Sequence, residues 1–540
     1  MNKKSALRRI VACLLVLSMV FSWLPPDVFA ASMTDIRVGL TSFYKDKPTI
    51  KITTTKIGMG YSIHDQYKCE VEFTSRNGFT LQVAKGSYFI LDQKFSNYSE
   101  ALVVAKKIEQ LGVKAYPASI YRNTYQVYVG GESTTTEMER IRERLVTNTA
   151  YSYQGPYADN GHRLILLGEN VTLLIDGKTK AAYPQFKAIS LNSTKVATMD
   201  LGARQYRGRI EVGRYGKSGL TAVNIINLES YLYSVVPSEM VSSWPIESLK
   251  AQAVCARSYA MSKTSYGTDS NILVPYKITD TTKHQSYKGY GAETTRTTHA
   301  VKETKGYAVT YKNKVICAYY SSTSGGRTES SFNVWGSRAP YLQGVVDEYE
   351  SEPEKGPWVI AMTKSELSKK LANAGIGVGN VTNVTVVSVT NSGRVSKLKV
   401  FGEDQSRIIE KEKIRSVLDL YSTKFKIVKS GQNSDEVVAL GSNGMTKVDL
   451  SNSYVLDGNG KTKKLGNTSN RIYIVKSSGN LTPFIKEAPE SEDIYYFVGQ
   501  GFGHGVGMSQ SGAKGLAKNG YSYKKILQYY FKGCSIQKIY

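Results

Sequence analysis

The 540-residue chain holds only 5 cysteines. Cys13 falls near the start, and Cys69, Cys255, Cys317 and Cys534 are widely scattered, with none at the close Cys/His spacing that a zinc site uses. A dense disulfide framework is therefore not expected, although the spacing does not choose between particular pairings and free thiols. Long apolar runs are also scarce: beyond the first residues no segment approaches the roughly 20 residues of a membrane-spanning helix. Acidic residues are in deficit, 45 against 70 Lys and Arg, for a formal charge of +25. Such an excess suits nucleic acid, an anionic membrane or an anionic wall polymer, or is simply a solvated basic surface.

What is present at the start narrows this choice. Lys3, Lys4, Arg8 and Arg9 precede an apolar run over residues 10–21, and Val28-Phe29-Ala30 offers a small-residue cleavage site. These features predict a signal peptide over residues 1–30, cleaved after Ala30. An uncleaved anchor is the alternative, but the run is shorter than a spanning helix needs. Export turns the charge away from nucleic acid and toward retention in an acidic envelope. The expectation is a soluble, secreted, extracytoplasmic protein associated with the cell wall. The length calls for two or three compact units with a substantial core.

Between residues 79 and 146 strand-like and helix-like runs alternate: a strand at 79–84, a helix at 99–111, strands at 113–120 and 125–129, and a helix at 135–145. Ala101, Leu102, Ala105, Ile108 and Leu111 make the apolar stripe of the first helix, and Gly112 ends it. From about residue 164 to 233, β-rich runs lead into a helical segment, and 381–389 alternates like a half-buried strand. Residues 430–490 shift toward Ser, Asn, Gly and Lys, with turns such as Asp457-Gly458-Asn459-Gly460, and are expected to be a β-rich insertion. The fold class is thus mixed α+β and multi-domain. It comprises an N-terminal region over 31–150, holding a small α+β module at about 67–148, and a β-rich main domain over 160–540 with a helical segment at its centre.

The most informative stretch is LESYLYSVVPSEMVSSWPIESLKAQAVCARSYAMS, residues 228–262. The apolar run 231–236 reads as a strand that ends at Pro237. Pro245 opens a helix, with Glu247 at its positive end. Ile246, Leu249, Ala253, Ala256 and Ala260 fall on one face of that helix, together with Lys250 and Arg257. Two cations on an apolar face need partners. They either line a polar cleft or pair with a structural carboxylate such as Glu229. Glu239 sits among apolar neighbours, where a carboxyl tends to stay protonated as a general acid must. An arbitrary glutamate there would be a solvated loop residue.

Residues 228–262 are similar to the signature of the SpoIID/LytB family: a Tyr-Leu pair, a Glu-Met pair, a Pro, then Leu-Lys-Ala-Gln-Ala-Val-Cys-Ala-Arg-Ser-Tyr-Ala. Further matches are Asp280-Thr281-Thr282 with Gln285 and Tyr287, Tyr319-Tyr320-Ser321-Ser322-Thr323-Ser324-Gly325-Gly326, Pro340-Tyr341-Leu342, and the run from Gly501 to Ala513 containing His504 and Gln510. Tyr88, the following helix, Leu111-Gly112-Val113-Lys114-Ala115-Tyr116 and Tyr125-Gln126-Val127-Tyr128-Val129-Gly130 resemble a SPOR domain, a module that binds glycan stripped of stem peptides.

The resemblance implies a lytic transglycosylase that cleaves peptidoglycan strands between MurNAc and GlcNAc, with Glu239 as the catalytic acid. Lys250, Arg257, Gln285, Tyr287, Ser324, Gly325, Tyr341, His504 and Gln510 are the candidate substrate-binding residues. A cation beside Glu239 would oppose its acid role, so Lys250 and Arg257 are assigned positioning roles. LytB-type members imply a different reading, a non-catalytic enhancer of a cell-wall amidase, and a structural wall-binding protein is a third. Expected partners are glycan strands, a cell-wall amidase and anionic wall polymers, with no nucleic acid. No cofactor is expected. Some sporulation members build zinc sites near the Asp-Thr-Thr motif, but His284 has no nearby Cys here, so no metal is expected. Gly501, Gly503 and Gly505 do not form a dinucleotide loop, since no βαβ unit follows; they are expected to let backbone approach His504 or a sugar ring.

Overall fold

The computed structural model describes residues 35–63, 66–177, 183–190, 192, 194–215, 219–264, 275–350, 357–429 and 494–540, with backbone hairpins alone between 436 and 483. The expected signal peptide over 1–30 and the side chains of the 430–490 insertion lie outside the described residues. Among the described residues no helix is long and apolar enough to cross a membrane.

The architecture is mixed α+β. Two compact units emerge: the first takes the chain to Thr310 together with Val315–Cys317 and Gln537–Tyr540, and the second takes Tyr311–Lys314 and Ala318–Ile536.

The first unit holds two large sheets. The eight-stranded one runs Thr49–Ile52, Phe79–Val83, Arg163–Leu167, Thr172–Asp176, Ala115–Tyr121, Thr124–Glu132, Ser87–Leu91, Tyr153–Tyr157. It carries helices α1 (Tyr98–Glu109) and α2 (Thr135–Asn148), near the expected positions. The Asn97 side chain caps α1 by accepting the Glu100 N–H at 3.0 Å, and Ala101, Ala105 and Ile108 are buried. The stretch that resembles a SPOR domain thus shares its sheet with strands from before and after it. The second sheet has seven strands, in the order Ile278–Thr279, Ile36–Gly39, Thr221–Ile226, Arg209–Gly213, Gln185–Ala188, Lys56–Ile63, Gln66–Thr74. The Tyr61 hydroxyl, 3.2 Å from Ser119 Oγ, ties the two sheets together.

Three helices follow: α3 (Leu228–Glu239), α4 (Ile246–Thr264) and α5 (Thr295–Glu303). Here the structure corrects two expectations. Residues 231–236 are helix, because Leu228, Tyr231, Leu232, Val235 and Val236 recur at helical spacing and are all buried. Pro237 is accommodated in the last turn of α3, which closes when Met240 N–H returns to Val236 O at 2.9 Å. Helix α4 has no single apolar stripe: Ser248, Gln252, Ser258 and Ser262 are as buried as Leu249 and Ala253, so the helix is enclosed on most sides.

The second unit is built from α6 (Ser331–Trp335), α7 (Lys364–Asn373), α8 (Glu412–Leu418), α9 (Gln510–Lys518), α10 (Tyr523–Tyr530) and small sheets. Val381–Val389 is the expected strand, paired with Val395–Gly402. A second sheet orders Trp358–Thr363, Ile494–Gly499 and Phe425–Lys429. Trp358, Leu371, Leu398, Ile414 and Phe497 are central to the core between these elements.

Candidate functional site

Glu239 is the final residue of α3 and is half-buried. Its Oε1 accepts the backbone N–H of Ser286 at 2.6 Å. That amide is aimed by its neighbours. Gln285 is fully buried, accepting from Tyr231 Oη at 3.2 Å and donating to Ala256 O at 3.3 Å. Tyr287 is buried too, its hydroxyl on Asn224 Oδ1 at 2.7 Å. With the side chains of 285 and 287 pinned inward, the peptide between them is held against the carboxylate. The loop is secured further by Lys288 N–H on Ser234 Oγ at 3.2 Å, and by Asp280, which accepts from Ser42 N–H at 3.0 Å. Gln285 and Tyr287 therefore position the Glu239 loop and have no surface to offer a substrate.

Two tyrosines bound the carboxylate electrostatically. Burial holds the Tyr231 hydroxyl well above its ordinary range, and the charges of Tyr287 and Glu239 push the same way. Tyr259 is likewise raised, by burial first, then by Cys317 and Glu239.

The two cations of α4 are committed elsewhere. Arg257 is fully buried; its Nε and Nη2 grip Glu229 at 2.7 and 2.8 Å, and Nη1 and Nη2 also donate to the carbonyls of Tyr307 and Val301 at 3.0 and 3.3 Å. The Tyr540 hydroxyl bonds the same glutamate. The expected substrate contact at Arg257 is thus a buried structural pair, one of the two alternatives the sequence left open. Lys250 is bonded to Glu247 at 2.8 Å and Glu303 at 2.7 Å, which brings α4 to α5.

Ser324, Gly325, Tyr341, His504 and Gln510 belong to the second unit. The N–H groups of Ser324, Gly325 and Gly326 converge on Glu350 at 2.7, 2.7 and 3.0 Å, and the hydroxyls of Ser324 and Ser509 add bonds at 2.8 and 3.0 Å. Gly325 and Gly326 have φ of 73° and 91°, the left-handed backbone that turns successive amides toward one anion. The anion held there is the chain's own carboxylate. Tyr341 is half-buried against Tyr311, with ring centroids 5.5 Å apart. Gln510 is buried at the start of α9, which Ser509 caps by accepting the Gly512 N–H at 3.1 Å.

His504 Nδ1 accepts the Val506 N–H at 2.9 Å, and its ring meets Trp335 edge-on with centroids 5.1 Å apart. Burial, then the charges of Arg415 and Arg394, lowers its pKa to about 3, so the imidazole is neutral and packs as an aromatic. The close approach that the glycines permit is to other groups than expected: a Cβ on Gly505 would lie 2.2 Å from Arg394 Nη2, and one on Gly507 would lie 2.0 Å from Tyr319 O.

Asp347, Glu350 and Arg394 carry no motif signal and were not anticipated. Asp347 is buried, accepts from Tyr530 Oη at 2.9 Å, and is raised to about 7 by burial and by the nearby Glu350. A carboxyl whose folded pKa lies above its ordinary 3.8 contributes stability that is complete below about pH 4 and lost as pH rises through 7. For this group alone the loss between pH 5 and pH 8 is about 3 kcal/mol. Asp347→Asn should flatten that part of the profile. Urea unfolding of wild type and variant across this range measures the difference, and parallel profiles would refute it.

Comparison with known proteins places this geometry in context. The family described as Stage II sporulation protein matches residues 216–311, the segment carrying Glu239, Arg257, Gln285 and Tyr287. A domain of unknown function, DUF8618, matches residues 356–446. An uncharacterized protein of Brachyspira hyodysenteriae is 30% identical over 337 residues, 62% of this chain and 73% of that protein. The Amidase enhancer of Bacillus subtilis is 31% identical over 309 residues, 56% of this chain but only 40% of that protein. Stage II sporulation protein D of the same organism is 27% identical over 331 residues, 59% of this chain and 76% of that protein. The chain belongs to the SpoIID/LytB family.

Proposed function

We propose that the chain is an exported, wall-associated lytic transglycosylase that acts on peptidoglycan glycan strands through Glu239. The observation that carries this reading is the carboxyl itself: it closes α3, is half-buried, acts electrostatically on the buried Tyr231 and Tyr259, and has one oxygen fixed by a backbone N–H. Lys250 and Arg257, the cations of the neighbouring helix, are paired with Glu247, Glu303 and Glu229.

In this mechanism Glu239 protonates the glycosidic oxygen as the C1–O bond breaks. The resulting carboxylate then takes the proton of the muramoyl 6-hydroxyl, which closes on C1. The product carries a 1,6-anhydro end, and no water enters. One carboxyl suffices, whereas glycoside hydrolases use a pair. The stretch resembling a SPOR domain would hold the protein on denuded glycan, and the charge of +25 would favour anionic wall polymers.

The test is digestion of purified strands, with and without stem peptides, followed by mass analysis for 1,6-anhydro ends. Strand binding without such ends would exclude catalysis. The similarity to the Amidase enhancer supports a second reading, stimulation of a cell-wall amidase by a non-catalytic partner. Adding an amidase and measuring the rate of stem-peptide release examines it directly.

A further inference from the structure

We propose that a groove in the first unit, about 560 Å³ in volume, is a saccharide subsite built on Tyr290, and that it holds the strand on which Glu239 acts. This rests on the glycan reading above. Arg207, Tyr290, Glu293, Thr294, Thr298 and Lys302 line the groove, whose size falls within the roughly 300–1,000 Å³ of small-molecule clefts.

The chemistry of the lining selects a polyol. A pyranose ring has an apolar C–H face and a rim of hydroxyls. Tyr290 supplies an aromatic surface, and the guanidinium of Arg207 steadies it, 5.0 Å from the ring centroid. Arg207 Nε and Nη2 bond Glu293 at 2.7 Å each, giving a fixed planar array of donors and acceptors with no net charge. Thr298 adds a half-buried hydroxyl. A phosphate or other strong anion would require more uncompensated cations than the exposed Lys302 provides. A purely apolar ligand would strip water from the ion pair and the threonines without replacing it.

The groove and the acid also share one segment of chain. Ser286 N–H reaches Glu239, and Gly289 then turns with φ of 77°, so close to Gln205 that a Cβ would lie 2.3 Å from its carbonyl oxygen. The 3-10 turn Tyr290–Ala292 follows. Thr294 caps α5 and donates its hydroxyl to Ser242 Oγ at 3.3 Å, three residues beyond Glu239. A saccharide seated on Tyr290 is therefore held by the same loop that fixes the Glu239 carboxyl.

The test uses the full chain carrying Tyr290→Ala or the milder Thr298→Val. Calorimetric titration with an N-acetylglucosamine tetramer and KM on denuded strands are the readouts, and unfolding midpoints confirm that each variant is folded. Tyr290→Ala should weaken tetramer binding and raise KM by about ten-fold, a loss of about 1.4 kcal/mol, and Thr298→Val should act in the same direction. Wild-type binding and KM in both variants would overturn the subsite. If Glu239→Gln abolishes product while Tyr290→Ala and Thr298→Val keep wild-type tetramer binding and KM, the subsite falls and the transglycosylase reading stands. If wild type yields no 1,6-anhydro ends yet Tyr290→Ala loses tetramer binding, the subsite stands and the transglycosylase reading falls.

Discussion

Glu239→Gln should lower the yield of 1,6-anhydro ends by at least about 10²–10⁴-fold, the usual contribution of a positioned general acid, while strand binding stays near wild type. The amide keeps the shape of the acid and can still accept the Ser286 N–H, which in wild type lies 2.6 Å from Oε1. It has no proton to deliver to a leaving oxygen. Glu239→Asp is a useful companion, since it keeps the acid but withdraws it by one methylene from Ser286, and it should retain partial activity. Product analysis by mass spectrometry and a pull-down on the same strands separate chemistry from binding. Undiminished cleavage by Glu239→Gln would remove this residue from the mechanism.

The second large effect is on stability. Arg257→Met leaves Glu229 buried without its bidentate partner, and removing one member of such a pair costs about 3–5 kcal/mol. Arg257→Lys should rescue little, because an ammonium cannot grip both carboxylate oxygens while also reaching the carbonyls of Tyr307 and Val301. Pairing Arg257→Met with Glu229→Gln should recover part of the loss, since no unpaired charge then remains. Urea unfolding reads all three. A variant that unfolds like wild type but fails to bind strands would return Arg257 to the role of a ligand contact.

Much of this was legible in the sequence. The α+β class, α1, α2, the Pro245 boundary of α4 and the strand at Val381–Val389 follow from periodicity and punctuation, which act locally. Helix α3 was obscured because its buried face is so wide that 231–236 reads as an unbroken apolar run, yet Leu228, Tyr231, Leu232, Val235 and Val236 keep the spacing of a helix. The motif residues Gln285 and Tyr287 lie on the loop that meets Glu239, but both are too buried for the substrate contact expected of them. Their side chains point inward, and the useful group is the amide between them. No rule of sequence spacing predicts that a backbone N–H will meet Glu239. Asp347, Glu350 and Arg394 were invisible for a related reason. Their significance comes from burial and from partners distant along the chain, such as Tyr530 for Asp347 and Ser324 for both Glu350 and Arg394.

The return of Gln537–Tyr540 to the first unit affects how the molecule is made. Ile539 N–H bonds Gly306 O at 2.8 Å, and the Tyr540 hydroxyl reaches the glutamate that neutralises Arg257. During synthesis from the amino end, residues 228–310 emerge more than two hundred positions before the tyrosine that completes their packing. The unit bearing Glu239 must therefore wait for most of the second unit to pass. The packing around the Arg257–Glu229 pair is thus completed by a segment made long after the helices that carry the pair.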